Sequence, residues 1–154
     1  MSRRQAKNKF LLLMIGAVLL IILFFSFIFR FFTDEYRTKA VVEEFYEHEQ
    51  KGDFTDSWEL LHSFMKDRWN KGAFMQDRAH VFINHFGADT FQFTIEEAEE
   101  IEDWKMAKDL PPVVKAHKFI VFQTYKGKYG KFSFIQEVYV AEEHGEWRIL
   151  WDYN

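Results

Sequence analysis

The chain has 154 residues, with 20 Lys and Arg against 24 Asp and Glu, six His and no cysteine. The missing thiols exclude disulfides, zinc–thiolate sites and cysteine nucleophiles. From Asp34 onward 15 bases face all 24 acids, a net charge of −9, which argues against nucleic acid and against peripheral contact with anionic lipid.

Residues 10–29 form a charge-free apolar run preceded by Arg3, Arg4, Lys7 and Lys9. As a helix, at about 1.5 Å per residue, it spans roughly 30 Å, the hydrocarbon thickness of a bilayer. A cleaved signal would have a shorter core followed by small residues. Here bulky Phe29, Phe31 and Phe32 follow instead. The expectation is a retained single-pass helix over 10–32 behind a basic head at 1–9. Four bases and no acid precede the run, while Arg30, Arg37 and Lys39 follow it among Asp34 and Glu35. That bias keeps the head cytoplasmic and places the domain, 33–154, outside. The composition suits the membrane of a Gram-positive bacterium.

No Gly-, Ser- or Pro-rich linker follows the anchor, so the domain is expected close to the bilayer, on a continuation of the same helix. Val41, Val42, Phe45 and Tyr46 give a helical stripe that Gly52-Asp53 should stop. Asp56 with Glu59 reads as the capping box of a second helix, carrying Trp58, Leu61 and Met65 and ending near Asn70-Lys71-Gly72. A third helix is expected over 73–86, with Met75, Ala79, Phe82, Ile83 and Phe86 inward. Phe91, Phe93 and Ile95 then alternate with polar residues, as a half-buried strand does. After an acidic stretch, 96–103, further strands are expected over 113–125, 131–141 and 147–153, joined by hairpins at 127–130 and 143–146. The fold class is α+β: a transmembrane helix, then a cone-shaped domain of three helices packed on a bent antiparallel sheet of about four strands.

Three passages resemble the nuclear transport factor 2-like superfamily. They are the helix–turn–helix through Phe45-Tyr46, Lys51-Gly52-Asp53-Phe54 and Ser57-Trp58-Glu59-Leu60-Leu61-His62; the third helix before the sheet; and the closing Gly145-Glu146-Trp147-Arg148-Ile149-Leu150-Trp151-Asp152-Tyr153. The match covers nearly all of 33–154. The closing stretch is most similar to the extracytoplasmic accessory domain at the N-terminus of some penicillin-binding transpeptidases. With the chain ending at Asn154, the expectation is that accessory domain without the transpeptidase. The resemblance implies a conical pocket between sheet and helices, a superfamily with both enzymes and non-enzymes, and single-anchor relatives that act as scaffolds in type IV secretion machines. Its hydrolase and isomerase branches use an Asp base with a Tyr, Arg or second Asp.

The candidate pocket residues are Tyr46, Trp58, Asp77, Arg78, Gln136 and Trp151. Gln136 shares a strand face with Phe132, Phe134, Val138 and Val140, so it points inward, either to orient a ligand or to bond a neighbouring helix. Adjacent Asp77 and Arg78 point about 100° apart on a helix and read as ion-pair formers with helical neighbours rather than a dyad. His80 and His85, five apart, fall on different faces of an α-helix, and no histidine spacing suits a metal. The acidic stretch lacks a calcium-loop pattern and reads as a solvated edge guarding against aggregation. No catalytic set, metal or cofactor is expected. The leading expectation is a non-catalytic interaction or scaffold domain at the cell envelope, docking an envelope protein or self-associating, with no nucleic-acid partner. A ligand-binding or enzymatic cone is the alternative.

Overall fold

The computed structural model describes residues 3–85, 87, 88, 90–96 and 99–154, with side chains for all of these except 3–11, 27, 29–33 and 82–84. The side chains of the basic head and of Phe82 and Ile83 of the expected inner stripe, and the whole of Phe86, Glu97 and Ala98, lie outside what is described. The chain divides into two compact units, 1–36 and 37–154.

Helix α1, Arg3–Lys51, carries both the apolar run and the first stripe of the domain. Within the first unit, Leu19 to Phe25 are consecutive exposed hydrophobics covering two helical turns, each more than half exposed. Counted over the described residues, no helix is long and apolar enough to cross a membrane; the described side chains of the run cover 12–26 and Ile28. Gly52, at φ 77°, ends α1 in the left-handed conformation that suits glycine. The amides of Gly52 and Asp53 donate to the carbonyls of Glu49 and His48.

The second unit departs from the expected three helices. Helix α2, Phe54–Glu59, starts earlier than a cap at Asp56 would place it. The Asp53 carbonyl already accepts from the amides of Asp56 and Ser57, so the helix has begun before the expected box. Glu59 is engaged elsewhere, by Lys71 at 2.7 Å and Lys66 at 3.7 Å. The expected second helix then breaks at Leu60–His62. The His62 amide donates to the Ile149 carbonyl at 3.0 Å and the Ile149 amide to Leu60 at 2.9 Å, so the sheet takes the backbone that would have continued the helix. Helix α3, Ser63–Arg68, restarts with the His62 imidazole accepting from the Phe64 amide. Helix α4, Lys71–Ala79, is capped by Asn70, and a π-helical turn, His80–His85, follows. The described residues thus hold five helical segments.

The sheet is antiparallel, with five strands where four were expected: β1 Phe91–Ile95, β2 Glu99–Trp104, β3 Val113–Gly127, β4 Gly130–Glu143 and β5 Glu146–Leu150. The additional strand is β2, drawn from the acidic stretch. It pairs with the first half of β3, and Lys115 holds Glu100 at 2.8 Å. Opposite charges across a ladder offset the low strand propensity of a Glu-rich segment. The second half of β3 pairs with β1, its other edge with β4, and β5 pairs only with residues 139–143 of β4. The two hairpins close through Lys128-Tyr129 and His144-Gly145. The latter has φ 54° and 85°, the primed geometry that matches strand twist.

One face of this sheet and the helices share a single core. Val42, Phe45 and Tyr46 of α1, Met65 of α3 and Phe74 of α4 join Phe119, Val121, Tyr125, Val138, Val140 and Ile149. Leu61 is fully buried in the same cluster.

Candidate functional site

Polar side chains enter this core in two connected sets. Tyr46, fully buried on α1, donates to Gln136 Oε1 on β4 at 2.9 Å. Gln123 on β3 donates to the same oxygen at 3.3 Å, and the Tyr125 hydroxyl donates to Gln123 Oε1 at 2.7 Å. Burial pushes both phenols well above their ordinary value, against a smaller lowering by Arg78, so each remains a neutral donor across the physiological range. Sequence reasoning placed Tyr46 and Gln136 in the interior, and the structure joins them to each other.

The second set is ionic. Glu49, one helical turn after Tyr46, accepts from Arg78 Nε at 2.6 Å and from Arg78 Nη2, and its other oxygen accepts from the Ser57 hydroxyl at 2.6 Å. The Arg78 partner is therefore a buried carboxylate 29 residues away, not a helical neighbour on the surface. Its guanidinium also lies 5.7 Å from the Phe74 ring centre and 5.6 Å from that of Trp151.

Beside this pair a cavity of about 300 Å³ is lined by Trp69, Phe74, Asp77, Arg78, Val81, Trp151 and Tyr153. Asp77 is exposed there. Trp69 Nε1 donates to the Tyr153 hydroxyl at 2.9 Å, while the buried Nε1–H of Trp151 has no partner among the described residues. Three of the six candidates, Asp77, Arg78 and Trp151, thus meet at one cavity, and Tyr46 and Gln136 meet away from it. Trp58 joins neither group. Its Nε1 donates to the Trp69 carbonyl at 2.8 Å and its ring lies under Lys66 and Lys71.

A third cluster escaped the sequence. The Ser63 hydroxyl and amide both donate to Glu143, whose carboxylate lies 3.6 Å from His62 Nε2. Serine, histidine and acid are together, but the hydroxyl is bound to the acid and not to the imidazole. No base is set to activate it. Burial holds His62 below its ordinary value. Burial works to raise Glu143, yet the Ser63 donors and the neighbouring imidazoles hold it low. Nothing in the sequence marks this cluster, because Glu143 is 80 residues from Ser63.

His80 and His85 do share a face: their ring centres lie 4.5 Å apart. The π-helical turn pairs i with i+5 where an α-helix would separate them. Among the described residues no group of three or more metal-ligating side chains occurs. No protein-family model matches this chain, and no curated protein matches it.

Proposed function

We propose that this chain is a membrane-anchored, extracytoplasmic interaction domain of the nuclear transport factor 2-like kind, non-catalytic and acting as a scaffold at the cell envelope. The observation that carries the reading is that the polar side chains between α1 and the sheet engage one another. Tyr46, Gln123, Tyr125 and Gln136 form one connected set, and Glu49, Ser57 and Arg78 another. A catalytic cone instead leaves several polar groups aimed at one empty point where a substrate sits. The anchor is supported by the apolar run over 10–29 and by the exposure of its described side chains on every side of the helix. An all-round apolar helix surface is matched by hydrocarbon, not water.

The test is photocrosslinking in intact membranes, with the photoreactive residue replacing exposed Asp152 or Glu96. Reproducible capture of one envelope protein, or of a second copy, is the expected result. A folded, externally exposed domain that captures neither overturns the reading.

The cavity beside Arg78 supports a second reading, since Trp69, Phe74, Trp151 and Tyr153 line it with aromatic rings next to the Arg78 guanidinium. A small aromatic anion would match it. Titrating small aromatic carboxylates against tryptophan fluorescence, with Trp151→Phe as control, checks this. Saturable quenching lost in the variant would favour the pocket.

A further inference from the structure

β4 is longer than the strand that covers it. Its ladder with β5 runs from Tyr139↔Leu150 to Glu143↔Glu146, and β5 ends at Leu150. Successive residues of a strand send their N–H and C=O groups to opposite edges. The two-residue turn at His144-Gly145 makes Glu143↔Glu146 a hydrogen-bonded pair, so odd-numbered residues of β4 face the β5 side. The two-residue turn at Lys128-Tyr129 sends the even ones to β3, which gives the same phase independently. Lys131, Ser133, Ile135 and Glu137 therefore direct their backbone groups past the end of β5, to an edge with no strand partner among the described residues.

That edge is apolar at its middle and charged at its ends. Ile135 is 66 % exposed and Phe134 40 %, on opposite faces of the strand. Lys131 stands directly across from Lys126 on β3, and among the described residues neither lysine has an ion pair. Like charges directly opposite are destabilising. An open edge with these features invites another strand.

We infer that residues 131–137 of β4 pair with the same residues of a second copy, in an antiparallel two-fold edge-to-edge dimer centred on Phe134. The inference rests on the interaction-domain reading and names its partner. The register follows from the outward backbone groups and from charge. Hydrogen-bonded pairs must join odd residues to odd residues. With Phe134 on the axis, Lys131 meets Glu137 of the second copy twice over, and Ser133 meets Ile135. The lysine pair at 126 and 131 then gains an acid, while Glu137 keeps its own Lys118 at 2.6 Å. On the other face the two Phe134 rings oppose each other, while on the face of Lys131 and Glu137 the two Ile135 side chains become diagonal neighbours. Shifting the axis to Ser133 or Ile135 sets Lys131 against Ile135 or Tyr139 instead, and Tyr139 is already occupied by β5. The matched surface is self-complementary, as a two-fold interface requires.

The chain has no cysteine, so single replacements report distance without background. Full-length chains in native membranes would carry Phe134→Cys, or Val114→Cys as an exposed control on β3, and be oxidised with copper phenanthroline. Residue 134 facing itself should give roughly tenfold more disulfide dimer than residue 114, because directly opposed residues bring their Cβ atoms within disulfide reach. Co-expressed Ser133→Cys and Ile135→Cys chains, which leave the core untouched, should cross-link more than either alone. Lys131→Glu should weaken the dimer about tenfold through two like-charge contacts, and adding Glu137→Lys should recover most of it. Yields at 134 and 133/135 no higher than at 114, or insensitivity to both charge reversals, overturn the dimer. If an envelope protein is captured while 134 stays monomeric, the dimer fails and the interaction reading stands. A chain that is not membrane-bound fails the anchor whatever its oligomeric state.

Discussion

A carboxylate with 1 % of its side-chain surface exposed, such as Glu49, is stable only with partners for both oxygens. Arg78 and Ser57 supply them. Removing one member leaves the other charged and buried. Arg78→Ala should therefore lower unfolding free energy by about 3–5 kcal/mol. Replacing both, as Glu49→Leu with Arg78→Met, should cost much less than the single change, because the desolvation penalty disappears along with the attraction. Urea denaturation of the full chain in detergent, followed by tryptophan fluorescence, reads both. A double variant as weak as the single would mean that the pair is not the element holding α4 to α1. Tyr46→Phe tests the neighbouring set. Gln136 keeps its bond from Gln123, so the loss should be modest, about 1–2 kcal/mol, and confined to stability.

At the scale of elements, His62, Ser63 and Glu143 fasten the start of α3 to the end of β4. Both titrating groups weaken this junction on acidification, in different ranges. His62 is held low, so the unfolded chain takes its proton first. Its contribution is whole above the ordinary value of 6.5 and falls as the pH drops below it. Glu143 is also held low; its contribution is present above the ordinary value of 4.5 and is lost as the pH falls through the folded value. Melting temperature measured from about pH 7.5 to about pH 3 should thus decline in two stages. His62→Asn keeps an acceptor for the Phe64 amide and should abolish the upper stage alone. An upper stage that persists in that variant would place the titration elsewhere.

Which of these elements could be read from the chain follows from where their causes lie. The strand at Phe91–Ile95 and both hairpins announce themselves through local alternation and turn residues. The break at Leu60–His62 does not, because it is imposed by Ile149 from across the fold. The acidic strand β2 hides for the same reason: its partner lysines lie on β3. The candidate site divides likewise. Tyr46 and Gln136 are legible as inward-facing polar residues on apolar stripes. Glu49 is not, since an acid beside a helical stripe reads as solvated until Arg78 is folded against it. Trp58 does not line the cavity beside Arg78, because aromatic content marks burial and not which cavity a ring lines.

For the whole molecule the decisive segment is 10–29. On an insertion scale its Leu, Ile, Val and Phe residues together favour the membrane by roughly 5–10 kcal/mol, while an arginine at the helix centre opposes by about 2.5–3.5 kcal/mol. One arginine would be tolerated. Two, at Leu20 and Leu23, also remove two favourable leucines and bring insertion near balance. The wild-type chain should stay in the membrane pellet through alkaline carbonate extraction, Leu20→Arg should largely remain there, and the double variant should move in part to the supernatant. An N-terminal epitope separates this from a cleaved signal, which would also depend on an apolar core. A retained anchor keeps the epitope on the same polypeptide as the folded domain. If the mature wild-type product loses it, the run is a signal, the domain is released, and any dimer must form without the concentration that a shared membrane provides.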